Sequence, residues 1–410
     1  MTLLFQSEQH DEFGTWPLAY IPYGGADFGE IQAVAAAVGG GDDAVFYQEW
    51  VAIGDRLAGD AEQAAQAGHT VSARELYLRA SAYYATAYHP LYGAPVDHRL
   101  VAAFNKQMAA FDAGMSLGTP PVTQIRIPYE GITLPGYLIP GHGRGDEPAP
   151  LIIFTNGYDA TITDMYFASA VAASRRGYHC LLFDGPGQGE LLYEHNVPMR
   201  PDWEAVIGAV VDLAISKPMV DTDRIALSGW SLGGYLAPRG ASGEHRLAAV
   251  IADPGQWDIG DSARKFVTAM GAPSASTLDV ETLDGRILDR MTEMVNADDS
   301  MRWRIVDRGF WVNGVSDLQS FLETTLQYTL ADKGGKITCP VLVTAAENDP
   351  LAANVDTFVE KLGERVTVLR FTAAEGAGEH CEMTNRTLLN RRVLDWLDDT
   401  LRDTSTENET

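Results

Sequence analysis

The chain has 410 residues, 46% hydrophobic and 21% charged, the balance of a globular protein with room for one large domain and a smaller one. Its net charge of −26 sets Coulomb repulsion against nucleic acid and anionic membranes, so neither is expected as a partner. The cysteines Cys180, Cys339 and Cys381 are too scattered for a disulfide framework or a thiolate metal site, and no stretch approaches the ~20 apolar residues that cross a bilayer. Met1 to Phe13 lacks the basic and apolar regions of a signal peptide, and a cytoplasmic location is expected.

The first 120 or so residues read as helical. Phe46, Trp50, Ile53 and Leu57 recur at the spacing of one buried helix face. Ser72 and Glu75 have the form of a capping box, opening a helix that runs through Tyr83 and Tyr84 towards His89-Pro90. Another helix is expected from Arg99 to Ala113, stopping at Gly114.

The pattern then changes. Val122 to Tyr129 and Ile132 to Ile139 are strand runs joined by Glu130-Gly131, a hairpin signal. Further strands are expected at Leu151–Thr155, His179–Asp184, Arg224–Ser228, Ala248–Ala252, Val341–Ala345 and Val366–Phe371, with helices around Ala168, Val206, Leu236, Val355 and Val393. A hairpin followed by this alternation implies a mostly parallel, doubly wound sheet. Residues 254 to about 336 break the rhythm, with helical stretches at Leu288–Ala297 and Leu318–Leu330 and no clear strand. An insertion of that length is most simply a cap over the carboxyl edge of the sheet. The polar tail from residue 404 to 410 is expected to be disordered.

Gly229-Trp230-Ser231-Leu232-Gly233 places a serine between glycines, after a strand and before a helix that runs to about Ala241. That is the pattern of a nucleophile elbow, in which the hydroxyl is exposed above the sheet and the amide of the next residue, Leu232, faces a developing oxyanion. Serine needs a histidine base oriented by a carboxylate, and in such elbows these follow in the order acid, histidine. Only His245 and His380 lie after Ser231; His380 sits in a loop after the last strand and is the candidate base. Asp349, in the turn after the strand from Val341, is the candidate acid, with Glu347 and Asp253 as rivals. The loop Asn156-Gly157-Tyr158-Asp159 follows the first parallel strand, which makes the Tyr158 amide the candidate second oxyanion donor. Asp184-Gly185-Pro186-Gly187-Gln188-Gly189 lacks the spacing of a dinucleotide loop and reads as a turn shaping the floor of the site. Asp159, Trp230, Trp257 and Tyr84 are candidate pocket residues, and Trp303, Trp311 and Tyr83 lie in segments expected to cover the site; plain core packing is the other reading of these aromatics. No motif calls for a metal, a nucleotide or another cofactor.

With elbow, acid turn and terminal histidine placed, residues ~120–400 resemble the α/β-hydrolase superfamily. The helical N-terminal third beside Asn156-Gly157-Tyr158-Asp159, and the segment Ala73 to Tyr88, are similar to the group that contains 2,6-dihydroxypseudooxynicotine hydrolase and the fungal hydrolases that shorten polyketide pigment precursors. The resemblance implies an eight-stranded, mostly parallel sheet with helices on both faces. It implies an N-terminal helical domain (1–120) packing over the site, a hydrolase domain (121–403) and the cap insertion. It also implies a Ser231-Asp349-His380 triad cleaving a carbon–carbon bond next to a ketone in a small aromatic or polyketide-like molecule, without a cofactor. A carboxylesterase or acyl-peptide hydrolase, and a silent binding module of the same fold, are the competing functions. A homodimer is compatible with the sequence.

Overall fold

The computed structural model describes residues 2–271, 280 and 283–402. Among them, eight strands form one sheet: β1 (Gln124–Tyr129), β2 (Ile132–Ile139), β3 (Ala149–Thr155), β4 (His179–Phe183), β5 (Val220–Trp230), β6 (Ala249–Asp253), β7 (Val341–Ala346) and β8 (Val366–Phe371). Their spatial order is β1-β2-β4-β3-β5-β6-β7-β8. The β1–β2 and β2–β4 pairs are antiparallel and the rest are parallel. β4, β6 and β7 are buried along their whole length, as strands covered by helices on both faces must be, whereas the edge strands β1 and β8 are half exposed. The expected strands all form. β5 reaches back to Val220, four residues before its apolar run, because Val220 pairs with Ala149 across a register shift; the polar Asp221-Thr222-Asp223 hides that extension in the sequence.

Before the sheet come helices α1 (Glu8–Gly14), α2 (Phe28–Val38), α3 (Asp43–Gln66), α4 (Thr70–Ala87) and α5 (His98–Ser116). α3 buries Phe46, Trp50, Ile53 and Leu57, the stripe seen in the sequence, and Asp42 caps it by accepting from the amides of Ala44 and Val45. Two expectations about helix ends are corrected. α4 starts at Thr70 after His69, so Ser72 and Glu75 lie inside the helix and form no cap. α5 runs through Gly114, which is needed for close approach: a β-carbon there would lie 2.7 Å from Leu78 Cγ.

The helical segment shares its interior with the rest of the molecule. Phe13, Tyr88, Leu100 and Phe104 belong to one apolar core with Leu191, Trp203, Trp257, Trp303 and the sheet residues Leu151 and Leu227. Polar ties reinforce the contact. The Gln107 amide donates to the Thr161 and Thr163 hydroxyls at 2.8 and 2.7 Å, and Arg304 pairs with Glu12.

Residues 254–336 are helical in their described part, with helices at Gly260–Ala269, Gly285–Ala297 and Leu318–Thr325 and a wide-turned helical stretch at Trp303–Phe310. The helix expected over Leu318–Leu330 ends at Thr325, and Thr329 instead makes an antiparallel bridge to Asp258 that ties the end of the insertion to its beginning. The tail from residue 404 lies outside the described residues.

Candidate active site

The chain order reverses beside β3: one connection leads to β4 on one side, while β5 pairs on the other. Loops leaving β3 and β5 therefore diverge and open a crevice at the carboxyl ends of the strands. Ser231 stands at the end of β5 with φ +59°, the left-handed region that non-glycine residues seldom occupy. Its surroundings enforce that strain. The Ser231 amide donates to the Asp253 carbonyl at 2.7 Å, and Gln256 Nε2 donates to the Ser231 carbonyl at 2.6 Å. At Gly229 any β-carbon would fall 1.8 Å from the Gly233 carbonyl oxygen, so the elbow closes only on glycine there.

His380 Nε2 lies 3.0 Å from Ser231 Oγ, and His380 Nδ1 lies 2.7 Å from Asp349 Oδ2. The Asp349 side chain is 1% exposed; its other oxygen accepts from the Leu351 amide at 2.9 Å, which fixes the carboxylate. A carboxylate accepts only, so Nδ1 carries the proton and Nε2 presents its lone pair to the serine. The three residues thus meet in one hydrogen-bonded line. The rivals for the acid do not join it. Glu347 accepts from the Ala373 amide, and Asp253 is buried against Arg386 Nη1 at 2.8 Å and the Thr344 hydroxyl at 2.8 Å.

The Leu232 and Tyr158 amides are spent on no other group among the described residues. The loop that carries Tyr158 comes so near the elbow that a β-carbon at Gly157 would sit 2.7 Å from the Leu232 nitrogen. Only glycine leaves the space in front of that amide open. The Asp184–Gly189 turn braces this loop from below. Gln188 Nε2 donates to the carbonyls of Asn156 and Gly157, and Asn156 Nδ2 donates to Asp184. Burial pushes the Asp184 carboxyl well above the usual range.

The candidate pocket residues divide. Trp230 is buried between the Arg386 guanidinium, 5.4 Å from its ring centre, and Trp16, 5.7 Å away. Asp159 is held by Arg308 Nη1 at 3.0 and 2.8 Å, and that guanidinium lies over the rings of Tyr158 and Trp303. Trp257 packs edge-on against Phe358 and over Gly334, at the foot of the insertion. Tyr84 is corrected: it packs in the α2–α3–α4 core and donates to Asp55 at 2.7 Å, because a helix-to-helix partner satisfies its hydroxyl.

Arg386, Gln188, Gln256 and Arg308 were missed in the sequence. Gln188 alone had a signal there, its place in the glycine-rich turn. Arg386 Nη1 also donates to the Cys381 carbonyl at 2.7 Å, so it clamps the histidine loop onto β6. Beside it Cys381 and Glu382 have φ of +53° and +48°, and Cys381 Sγ lies 3.3 Å from His380 Nε2. Burial, reinforced by Asp253, Asp349 and Glu382, pushes that thiol well up, so it remains an S–H group.

Burial, with the Asp253 carboxylate next to it, also holds the Glu382 carboxyl well above its ordinary 4.5. The folded state therefore keeps this proton at pH values where the unfolded chain releases it, and stability falls as pH rises from about 4.5 towards the folded value. Glu382→Gln removes the ionisation. Its stabilisation is expected to grow from pH 5.5 to pH 8 by up to about 1.4 kcal/mol per pH unit. Thermal melts of both chains check this; a shift in Tm independent of pH would refute it.

A hydroxyl, an imidazole and a buried carboxylate in line at the elbow of an eight-stranded mixed sheet define the class as α/β hydrolase. The sequence pattern of the Alpha/beta hydrolase family matches residues 138–390, and the chain belongs to that family. It is 32% identical to the hydrolase acrC of Aspergillus aculeatus over 93% of this chain and 94% of that one. It is likewise 32% identical to the 20-hydroxy-prefusarin hydrolase FUS2 of Gibberella moniliformis, with the same coverage. Its fold is that of 2,6-dihydroxy-pseudo-oxynicotine hydrolase, with a TM-score of 0.74, 22% identity and coverage of 94% and 96% of the two chains. The resemblance read from the sequence is borne out.

Proposed function

We propose that this chain is a serine hydrolase that cleaves a carbon–carbon bond next to a ketone in a small aromatic or polyketide-like molecule. The observation that carries the reading is the line Asp349–His380–Ser231 beside two uncommitted amides. In this reading Ser231 Oγ attacks the ketone carbon while His380 Nε2 takes its proton. The oxyanion is received by the Leu232 and Tyr158 amides, at the start of the helix Gly233–Ala241, whose dipole adds to their pull. Collapse breaks the bond to the neighbouring carbon, which leaves as a carbanion and takes its proton from the His380 imidazolium. The acyl group stays on Ser231. His380 then deprotonates water, which releases the acid and restores the serine. Serine, histidine and water complete the cycle.

The shared core of the N-terminal helices with the insertion supports the choice of bond, because it supports their acting as one cover; the similarity to a protein named as a 20-hydroxy-prefusarin hydrolase supports hydrolysis of a small molecule. A closed, apolar cover keeps bulk water from the carbanion. An ester would use the same residues and expel an alkoxide.

A panel of β-diketones and aryl esters, read by product mass, together with fluorophosphonate labelling of Ser231, tests the proposal. Labelling with cleavage of the diketones is expected. Labelling with turnover of esters alone means a carboxylesterase, and no labelling means a binding module.

A further inference from the structure

Two buried oxygens beside the oxyanion loop have no hydrogen-bond partner among the described residues: Asn156 Oδ1 and Asp184 Oδ2. Both residues are 1% exposed. Buried polar groups are normally paired, so two such atoms on neighbouring side chains call for a common reason. Strand register makes them neighbours. Phe154 of β3 lies opposite Leu182 of the parallel strand β4, and two residues further on Asn156 and Asp184 stand at the carboxyl ends of those strands. Their side chains already share one bond, in which Asn156 Nδ2 donates to Asp184 Oδ1 at 3.1 Å. The atoms left over are the carbonyl oxygen of an amide and the second oxygen of a carboxyl. Two acceptors cannot satisfy one another. A carboxylic acid removes the conflict, because its O–H donates, and an acid and a primary amide can close a ring with two hydrogen bonds.

We propose that Asp184 carries a proton and closes this ring with Asn156, its Oδ2–H donating to Asn156 Oδ1, and that the ring holds the Tyr158 amide in its oxyanion-binding position. The surroundings suit a neutral acid. Among the described residues no lysine, arginine or histidine pairs with Asp184; the titratable groups around it are the Asp164 and Glu190 carboxyls and the phenols of Tyr88, Tyr137 and Tyr193. Glu190 is itself paired with Arg126. The Ile162 amide also faces the carboxyl and favours its charged form, but burial outweighs it, and Asp164 and Glu190 act with burial. Main chain covers Oδ2 from the side of Gly189, where a β-carbon would fall 2.1 Å from that oxygen.

The ring reaches the site through the backbone. Gln188 Nε2 donates to the Asn156 and Gly157 carbonyls at 2.7 and 3.1 Å. In a planar trans peptide the N–H points opposite to the C=O, so the held Gly157 carbonyl turns the Tyr158 N–H away from Gln188. The acid–amide ring fixes the Asn156 end of the same loop. Asp184 is thus a positioning residue, two links away from the reacting atoms. Its effect on the oxyanion rests on the hydrolase reading of Ser231; the ring itself does not.

Infrared difference spectra of the full chain against Asp184→Asn, at pH 7, test the proton. The parent is expected to show the carbonyl band of a protonated carboxylic acid that the variant lacks. Asparagine at 184 keeps the ring, since its amide donates to Asn156 Oδ1 and accepts from Asn156 Nδ2. Its rate of labelling by a fluorophosphonate is therefore expected to stay within about 3-fold of the parent. Asn156→Leu, of similar size, removes both bonds and is expected to slow labelling about 10–100-fold, short of the full cost of losing an oxyanion donor. Thermal melts establish that each variant is folded, and the band and the Asp184→Asn rate decide the matter even where Asn156→Leu is not. Absence of the band, a loss of more than about 10-fold in Asp184→Asn, or an unchanged rate in folded Asn156→Leu overturns the proposal. Failure of the parent to label at all overturns the hydrolase reading instead, and the infrared spectra still decide the ring.

Discussion

Replacing Ser231 with alanine is expected to lower kcat on the order of 10⁶-fold while leaving the melting temperature within a few degrees of the parent. The size follows from the geometry. Ser231 Oγ is the atom that His380 Nε2 faces at 3.0 Å, and no other hydroxyl is hydrogen-bonded to that nitrogen among the described residues. The fold should be indifferent because the elbow is held through main-chain atoms of Ser231, its amide on Asp253 and its carbonyl on Gln256. Alanine keeps both bonds and only has to tolerate the same positive φ. The nearest rival group is the Cys381 thiol, also on His380 Nε2, and its burial keeps it protonated. Initial rates of the purified variant on the substrate selected by the panel decide the matter. Residual activity above about one per cent would move the nucleophile elsewhere.

The second large effect belongs to Asp349. Asparagine there can donate to Nδ1 and so favour the tautomer with the proton on Nε2, which cannot accept from serine; a cost of about 10⁴ in kcat is expected. The paired control is Asp253→Asn. This change leaves the buried Arg386 guanidinium with a neutral partner, and the removal of one member of a buried pair costs about 3–5 kcal/mol. Asp349→Asn should therefore lower the rate and hardly alter the melt, while Asp253→Asn should lower the melt and alter the rate per folded molecule far less. Rates and melts on both variants separate them. A reversal of this pattern would place the acid one strand earlier.

The serine, acid and histidine were legible because each is marked by something local. The elbow carries its glycines, Asp349 lies in a turn after an apolar strand, and His380 is the histidine left after the last strand. Strand positions were legible for the same reason, since buried parallel strands read as short apolar runs. What the sequence hid depends on pairing at a distance. Gly114 read as a stop because nothing local shows Leu78 pressing against it. Tyr84 read as a pocket wall because the sequence does not show Asp55 waiting on the neighbouring helix. Arg386 was invisible for a different reason: an arginine near the start of a surface helix is ordinary until Asp253 and the Cys381 carbonyl are seen converging on it. The insertion offered too little periodicity to place Arg308.

The meeting of Phe13 and Trp16 with Trp230 and Trp303 has a consequence for how the molecule is made. Phe13 leaves the ribosome roughly three hundred residues before Trp303, a delay on the order of fifteen seconds to a minute at ordinary elongation speeds. His89 and Phe46 are made early and stack on Phe13 and His10, but the side of Phe13 that meets Trp303 and the side of Trp16 that meets Trp230 stay uncovered throughout that time. These later partners become available only when the central strand and the insertion have been synthesised, so the last part of the docking must come late. Closing so long a chain segment carries an entropic cost before any contact repays it, and such topologies fold slowly. The nascent chain therefore exposes apolar surface for an extended period, the situation in which chaperones bind. Yield in a heterologous host should depend on translation speed and chaperone supply more than on the final stability of the fold.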